Sequence, residues 1–149
     1  MENKEFQNLF LQAIDNGKNN FHPLVLINGK PEIGVGTTVG FFSEINAKEV
    51  NIVIGNNCDI ASFVAINAAD SHRRCIELDN TINREDIIIE NNVFIGSHSV
   101  ILGGSVIGHH TVIAAGTVVR NRKIPPFSLV IGDKVKSGYY KSEYSSINK

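Results

Sequence analysis

The stretch that decides the fold spans residues 87–119 and reads IIIENNVFIGSHSVILGGSVIGHHTVIAAGTVV. Large aliphatic side chains recur in it at strict intervals of six, at Ile89, Ile95, Ile101, Ile107, Ile113 and Val119. A small or β-branched residue lies four positions after a lead position throughout the stretch, at Val93, Ser99, Ser105, Thr111 and Thr117. In three units the residue directly after the lead is Gly or Ala, namely Gly96, Gly108 and Ala114.

A period of six belongs neither to a single strand, which alternates every two residues, nor to an α-helix, which repeats near 3.6. A parallel β-helix explains it, because each six-residue unit forms a short strand and a turn, and three units complete one triangular coil. The lead residue then points inward and stacks on its counterpart about 18 residues later. Gly or Ala follows it where the corner leaves little room for a Cβ atom. We therefore predict an all-β parallel β-helix.

An earlier block carries the same repeat and sets the domain boundaries. Its lead residues are Ile33, Val39, Ile45, Ile54, Ile60 and Ile66, and the nine-residue step in the middle predicts one widened turn. Residues 3–15 carry the apolar stripe of a short amphipathic helix, which we expect to cap one end of the prism. The prediction is one domain over 1–149, with the helix at 3–15, coils at 31–124 and a C-terminal tail at 125–149.

The repeat stops between residues 70 and 87. The segment 71–86 reads SHRRCIELDNTINRED, is rich in charge and shows no strand alternation. Long irregular segments inside compact domains are uncommon and are usually functional, although a tolerated surface insertion would look the same. Because the chain leaves a regular coil and returns to one, loop 70–87 is predicted to project as an arm.

Composition excludes several classes of function. The net charge of -1 argues against nucleic acid as the main partner. Residues 115–149 hold seven Lys or Arg against two acids, which suits either a solvated tail or a phosphate-binding rim. Cys58 and Cys75 lack metal-ligand spacing, and Cys58 falls at an interior position. No stretch approaches 18 apolar residues and no apolar leader is present, so we expect a cytoplasmic protein without membrane insertion.

Four features together resemble the hexapeptide-repeat acetyltransferases. These are the six-residue repeat, the arm with one histidine near its start, residues 93–98 (VFIGSH) and residues 124–128 (IPPFS). The resemblance covers roughly residues 31–136. It implies a left-handed β-helix that assembles as a homotrimer, with active sites in the clefts between subunits. The family includes galactoside and maltose O-acetyltransferases, xenobiotic acetyltransferases and acetyltransferases of nucleotide-linked sugars.

The resemblance makes His72 the candidate catalytic residue, since a loop histidine acts as general base in this family. An imidazole can accept a proton near neutral pH and pass it on to a leaving group. His72 could instead orient the substrate, or remain solvated beside two arginines. The other histidines, at positions 22, 98, 109 and 110, are expected to be structural, and no three of them converge for a metal ion, so no metal is predicted.

Substrate-binding roles are predicted for Glu44, Asn67 and Asp70. Glu44 occupies a position where galactoside-type enzymes carry a substrate-binding asparagine, and a carboxylate there would pair with an ammonium or accept bonds from hydroxyls. Asp70 lies two residues before His72 and would orient the imidazole or bind the sugar. Both acids could also be solvated corner residues.

Acetyl-coenzyme A is the cosubstrate that the resemblance implies. Ser97 and Ala115 match positions that contact the pantetheine arm, and they lie 18 residues apart, one coil above the other. Arg120 and Lys136 match positions near the nucleotide phosphates. After Gly132 the family usually continues with a proline-containing turn, whereas this chain reads Asp-Lys-Val, so its last turn is expected to differ.

The sequence therefore predicts an acetyl-coenzyme A-dependent acyltransferase that acts on a sugar. The carboxylate at Glu44 favours N-acetylation of a nucleotide-linked amino sugar. The resemblance implies a role in surface polysaccharide synthesis. The alternatives are a sugar O-acetyltransferase of the galactoside or maltose type, a non-catalytic β-helix, and a metal-dependent hydratase of the same fold.

Overall fold

A computed structural model describes residues 3–14, 21 and 24–149, with side chains at all of these except 13 and 14. His22 and the last residue of the predicted helix lie outside the described residues. The helices are α1 (Asn3–Ile14), α2 (His72–Cys75) and α3 (Lys141–Ile147). The strands, in chain order, are β1 (Leu26–Gly29), β2 (Glu32–Ile33), β3 (Thr38–Val39), β4 (Glu44–Ala47), β5 (Ile52–Ile54), β6 (Asp59–Ile60), β7 (Ala65–Asn67), β8 (Ala69–Asp70), β9 (Asn83–Arg84), β10 (Ile87–Ile89), β11 (Phe94–Ile95), β12 (Val100–Leu102), β13 (Val106–Ile107), β14 (Val112–Ile113), β15 (Val118–Val119), β16 (Lys123–Ile124), β17 (Leu129–Ile131) and β18 (Lys134–Lys136).

Three sheets form the walls of a triangular prism of about five turns, which confirms the predicted β-helix. Sheet A has the order β1-β4-β7-β12-β15, sheet B the order β16-β13-β10-β5-β2, and sheet C the order β18-β17-β14-β11-β6-β3. All neighbours are parallel except β17 and β18, which pair antiparallel. Each strand therefore pairs with the strand three units earlier or later, as a period of six requires.

The predicted lead residues form the core. In sheet A, Ile45 aligns with Ile66, and Ile66 aligns with Ile101, and all three are 0% exposed. Equivalent columns run down the other two sheets. Their fully buried members include Ile54, Ile60, Ile89, Ile95, Ile107 and Ile113. Burial of these aliphatic side chains is the main favourable term for such a fold, at roughly 2 kcal/mol for each large side chain.

The predicted small residues occupy the corners and satisfy the backbone there. Ser99 and Thr117 are buried, and the Ser99 hydroxyl donates to the carbonyl of Ala114 at 3.1 Å and accepts from the Thr117 N–H at 3.3 Å. Gly108 is needed for close packing, because a Cβ atom there would lie 2.5 Å from the Pro126 nitrogen. Cys58 is buried as predicted, and burial raises the pKa of its thiol.

The coils extend beyond the predicted limits of 31 and 124. At the start, β1 pairs with β4 as an additional rung of sheet A, and at the end β17 continues sheet C. The chain then reverses into β18 and ends in α3, so part of the predicted tail is regular structure. In α1 the side chains of Phe6, Leu9 and Phe10 are between 44% and 59% exposed, so this apolar face does not seal the prism within one protomer.

Candidate active site

Sheet A separates two rows of turns that carry the predicted site residues. The turns that follow its strands, at 48–51, 68–86, 103–105 and 120–122, form what we call the arm edge. The turns that precede its strands, at 40–43, 61–64, 96–99 and 114–117, form the ledge edge. The arm is the turn at 68–86, close to the predicted loop of 70–87. The width of one sheet thus lies between the two edges of a single protomer.

The base of the arm is closed by a short antiparallel pair. Strands β8 and β9 align Ala69 with Arg84 and Asp70 with Asn83. Beyond the pair, Arg73 forms an ion pair with Asp79 at 2.6 Å, which ties the two sides of the arm together. These bonds give the irregular segment a defined shape.

Asp70 and His72 form a hydrogen-bonded pair at the start of the arm. The Oδ1 atom of Asp70 lies 2.6 Å from the Nδ1 atom of His72 and accepts a second bond, at 3.0 Å, from the His72 backbone N–H. The two bonds from His72, the backbone one first, hold the pKa of Asp70 below its ordinary value, and the positive charge of Arg120 lowers it further. The Nε2 atom of His72 has no hydrogen-bond partner among the described residues, and its side chain is 59% exposed.

A polar cleft of about 370 Å³ opens beneath the base of the arm. It brings together three of the predicted residues, Asn67, Asp70 and Arg120. Its other walls come from Ala68, Ala69, Asn83, Glu85, Leu102, Gly103 and Asn121. Since a concave surface with a few convergent polar groups is the usual form of a small-molecule site, this cleft is the candidate substrate site.

Asn67 presents hydrogen-bond donors to this cleft. Its Oδ1 atom accepts a bond from the Ala69 N–H at 3.0 Å, which fixes the amide so that its oxygen is already occupied. Its Nδ2 group has no partner within residues 3–14, 21 and 24–149. The amide is therefore oriented to donate to a ligand oxygen.

Glu44 and His72 do not line the cleft. Glu44 is the first residue of β4 and aligns with Leu26 and Ala65, so it lies on the ledge side of sheet A, half-buried. The sequence missed Asn83, Glu85 and Asn121. The one available signal was the five-residue step from Val119 to Ile124, which shortens the turn that carries Asn121.

Ser97 and Ala115 lie together on the ledge edge, away from the cleft of their own protomer. Ser97 precedes β12 and Ala115 precedes β15, and the carbonyl of Ser97 accepts a bond from the Gly116 N–H at 2.9 Å. They are successive rungs of one corner, as the 18-residue spacing predicts. Along the same corner the ring of His98, in the turn that carries Ser97, stacks on Phe63, and Phe63 stacks on Phe42, with centroids 4.9 Å and 5.2 Å apart.

The two predicted phosphate contacts are not brought together within one protomer. Arg120 follows β15 on the arm edge, whereas Lys136 lies in β18 on sheet C, with its Nζ atom 5.5 Å from the centre of the Tyr139 ring. The reversal at 132–133 that replaces the expected turn carries Lys136 back along the sheet, where it aligns with Leu129.

The other histidines that the structure describes, His98, His109 and His110, lie at the corners. His98 stacks on Phe63, and the Nδ1 atoms of His109 and His110 lie 2.9 Å apart. Within the described part of the chain, no three His, Cys, Asp or Glu side chains are grouped so as to hold a metal ion. None of the described helices has the length and apolar character needed to cross a membrane.

Residues 86–121 match the family described as bacterial transferase hexapeptide (six repeats). No curated protein sequence matches the chain. The fold is similar to that of AntD, an N-acyltransferase from Bacillus cereus solved with dTDP and 3-hydroxybutyryl-CoA, at a TM-score of 0.66 and 19% identity over 85% of this chain and 76% of that one. A variant of AntD has also been solved with dTDP-4-amino-4,6-dideoxyglucose and coenzyme A.

Two O-acetyltransferases share the fold as well. A maltose O-acetyltransferase from Clostridium difficile 630 superimposes at a TM-score of 0.57, with 21% identity over 89% of this chain and 82% of the other. The polysialic acid O-acetyltransferase OatWY superimposes at a TM-score of 0.61, with 26% identity over 77% of this chain and 61% of the other.

Proposed function

We propose that this chain, a hexapeptide-repeat protein by its fold and by its match over residues 86–121, is an acetyl-coenzyme A-dependent acetyltransferase that acts on a sugar. The main support is the Asp70–His72 pair, whose aspartate lines the polar cleft. With its Nδ1 proton donated to Asp70, the imidazole keeps a lone pair on Nε2, which is the arrangement of a general base held by an acid. Similarity to acyltransferases of the same fold adds to this support.

The reaction is direct transfer in a ternary complex. The acceptor atom attacks the thioester carbonyl while Nε2 of His72 takes its proton, a C–N or C–O bond forms, and the C–S bond then breaks. A backbone N–H of a coil turn stabilises the oxyanion of the tetrahedral adduct. The proton held by His72 passes to the departing thiolate and regenerates the free imidazole.

The site is completed by a second copy of the chain in a homotrimer. Because the arm and the Ser97–Ala115 ledge lie on opposite edges of sheet A, a seam between two protomers unites the arm edge of one with the ledge edge of the next. Acetyl-coenzyme A lies along that ledge, where Arg120 would approach its phosphates from the arm edge of the neighbouring protomer, whereas the predicted contact by Lys136, on sheet C, stays a prediction. Binding of acetyl-coenzyme A should raise the thermal midpoint of the protein. The proposed location is the cytoplasm, where acetyl-coenzyme A and nucleotide sugars are available.

The favoured acceptor is an amino group on a nucleotide-linked sugar, in surface polysaccharide synthesis. Carboxylates at Asp70 and Glu85 face the cleft, and AntD is an N-acyltransferase of the same fold. An ammonium acceptor loses two protons in the reaction. The first goes to the imidazole before the attack. The second leaves the tetrahedral adduct and protonates the thiolate. The imidazolium then releases its proton to solvent, so that one proton is released overall. Glu44, on the ledge side, would reach the acceptor only from the neighbouring protomer.

A sugar hydroxyl is the second candidate acceptor. The amide of Asn67 suits hydroxyl oxygens, and two of the similar structures are O-acetyltransferases. Release of free thiol from acetyl-coenzyme A, measured with paired amino and hydroxyl sugars, separates the two acceptors.

The base assignment is tested with His72→Ala and His72→Asn. Both variants should lose at least about 100-fold in turnover with little change in affinity for acetyl-coenzyme A, because base catalysis contributes about 10²–10⁴-fold. Near-normal turnover in both would leave His72 with an orienting role and assign the proton to the thiolate alone.

A further inference from the structure

Glu85 is held firmly at the floor of the cleft. It follows β9, and its backbone N–H donates to the carbonyl of Ala68 at 3.1 Å. The next residue, Asp86, is anchored on both sides, since its carboxylate accepts from the Asn51 N–H at 3.0 Å and its carbonyl accepts from the Gly104 N–H at 3.0 Å. The backbone that carries Glu85 is therefore fixed by the β-helix and does not depend on the tip of the arm.

Two consecutive glycines make room for the Glu85 side chain. A Cβ atom on Gly103 would lie 3.1 Å from Cβ of Glu85, and a Cβ atom on Gly104 would lie 2.5 Å from its Oε2 atom. The same Cβ atom would lie 2.6 Å from Oδ1 of Asn121, and the φ of Gly104, +77°, is one that residues with side chains rarely adopt. Glu85 thus lies along a glycine floor, with its carboxylate turned toward Asn121.

Two acceptor oxygens, one from Glu85 and one from Asn121, thus border the space that a Cβ atom of Gly104 would fill, and neither accepts a hydrogen bond from a described residue. A carboxylate and an amide carbonyl repel each other unless a hydrogen-bond donor or a cation lies between them. No ion-pair partner for Glu85 is present among the described residues. Asp70, across the cleft, differs in that it is bonded to His72 and lies near the charge of Arg120. Glu85, which is exposed to solvent, is therefore the cleft carboxylate that no described cation pairs with.

We propose that Glu85 and Asn121, above Gly104, form the subsite that binds the ammonium group of the acceptor and selects an amine over a hydroxyl. An ammonium carries three donors and a positive charge, so it can bond to both oxygens at once, whereas a hydroxyl has a single donor. The inference rests on the proposed function in that the cleft takes the acceptor sugar. It assigns to Glu85 the selectivity that the sequence suggested for Glu44.

The subsite is tested by calorimetry without coenzyme A, so that binding is measured apart from catalysis. The probes are dTDP-4-amino-4,6-dideoxyglucose and its 4-hydroxyl counterpart, dTDP-6-deoxyglucose. Glu85→Gln keeps the shape and removes the charge, and should weaken binding of the amino probe about 10-fold or more while changing the hydroxyl probe less than about twofold. Asn121→Asp adds a second negative charge and should tighten binding of the amino probe. Glu32→Gln, on the outer face of sheet B, is the matched control and should change neither.

Each outcome decides the point. Equal loss of both probes in Glu85→Gln, or wild-type protein that binds the amino probe no more tightly than the hydroxyl probe, overturns the subsite. Weaker binding of the amino probe by Asn121→Asp also counts against it. If the amino probe binds in a Glu85-dependent way but acetyl-coenzyme A yields no product, the ammonium subsite stands and acetyl transfer is refuted. Transfer to hydroxyls alone, unaffected by Glu85→Gln, refutes the subsite and leaves sugar acetylation intact.

Discussion

Asp70 contacts His72 twice, through the imidazole Nδ1 atom at 2.6 Å and through the backbone N–H at 3.0 Å, and both contacts use the same carboxylate oxygen. The backbone bond fixes the carboxylate, and the carboxylate in turn fixes the ring. Because these bonds and the nearby charge of Arg120 lower the pKa of Asp70 below its ordinary value of 3.8, the acid stays ionised at any pH near neutrality. The stabilisation that ionised Asp70 contributes is complete above pH 3.8, its ordinary pKa, and is lost only as the pH falls through the lowered pKa.

Replacing Asp70 with Asn should reduce kcat by about 100-fold or more, because the Asn amide donates to Nδ1 and holds the proton on Nε2, which removes the lone pair that acts as base. The defect should persist across pH 6–8, since Asp70 does not titrate there. Steady-state thiol release measures it. Asp59→Asn, an exposed acid on sheet C that accepts one bond from Thr38, is the control and should retain wild-type kcat. Unchanged kcat in Asp70→Asn would mean that the Asp70–His72 hydrogen bond is not needed for catalysis.

The core could be predicted from the sequence because a β-helix is close to one-dimensional. The period of six predicts which side chains point inward, and the 18-residue coil predicts which of them touch. Ile89 therefore aligns with Ile107, Ile95 with Ile113, and Ile101 with Val119. The widened turn at 48–51 was also visible, as a break in spacing.

The floor of the cleft could not be predicted, because it lies where the period fails. Glu85 belongs to the returning side of the arm, and no repeat position fixes its direction. Its geometry depends on Gly104 and Asn121, which reach it from two later coils. Glu44 was matched to a family position that binds substrate, but the sequence alone does not tell which edge of sheet A carries the arm of the same protomer.

Removing the side chain of Ile101 should destabilise the protein by about 2–5 kcal/mol, the usual cost of an Ile-to-Ala cavity. Ile101 is 0% exposed in the middle of sheet A. Chemical denaturation of Ile101→Ala at fixed protein concentration measures the change. Ile131→Ala is the control, because Ile131 is 49% exposed and should cost less than about 1 kcal/mol. Equal losses in the two variants would contradict the inward columns.

Acidification from pH 7.5 to 5.5 should loosen α3. Tyr144 of this helix contacts the rings of His110 and Phe127 at 4.7 Å and 5.1 Å. Burial, and then the neighbouring His109, lower the pKa of His110. The unfolded chain therefore binds a proton more readily than the folded one, and the stabilisation present above the ordinary value of 6.5 is lost as the pH falls below it.

Hydrogen exchange of the α3 amides, corrected for intrinsic rates, measures this change. The groups that face His110 are the His109 imidazole and the two aromatic rings, with the Glu90 carboxylate bonded to the His109 N–H at 2.8 Å. His110→Phe keeps an aromatic ring and removes the titrating group, so its α3 should exchange alike at both pH values. If the α3 amides of that variant still exchanged faster at pH 5.5 than at pH 7.5, a group other than His110 would be responsible.

A shared site between protomers predicts complementation of two inactive variants. His72→Ala damages the arm edge, and Ala115→Phe blocks the ledge edge, where Ala115 is exposed. In randomly mixed trimers, about a quarter of the seams combine an intact His72 from one protomer with an intact ledge from the next, so activity should return to about a quarter of the wild-type value. Mixing wild type with the double variant should also leave about a quarter if the site is shared, and about a half if each protomer works alone. The two mixtures contain the same substitutions in a different arrangement. No activity in the first mixture, together with half of the wild-type activity in the second, would therefore mean that each active site lies within a single protomer.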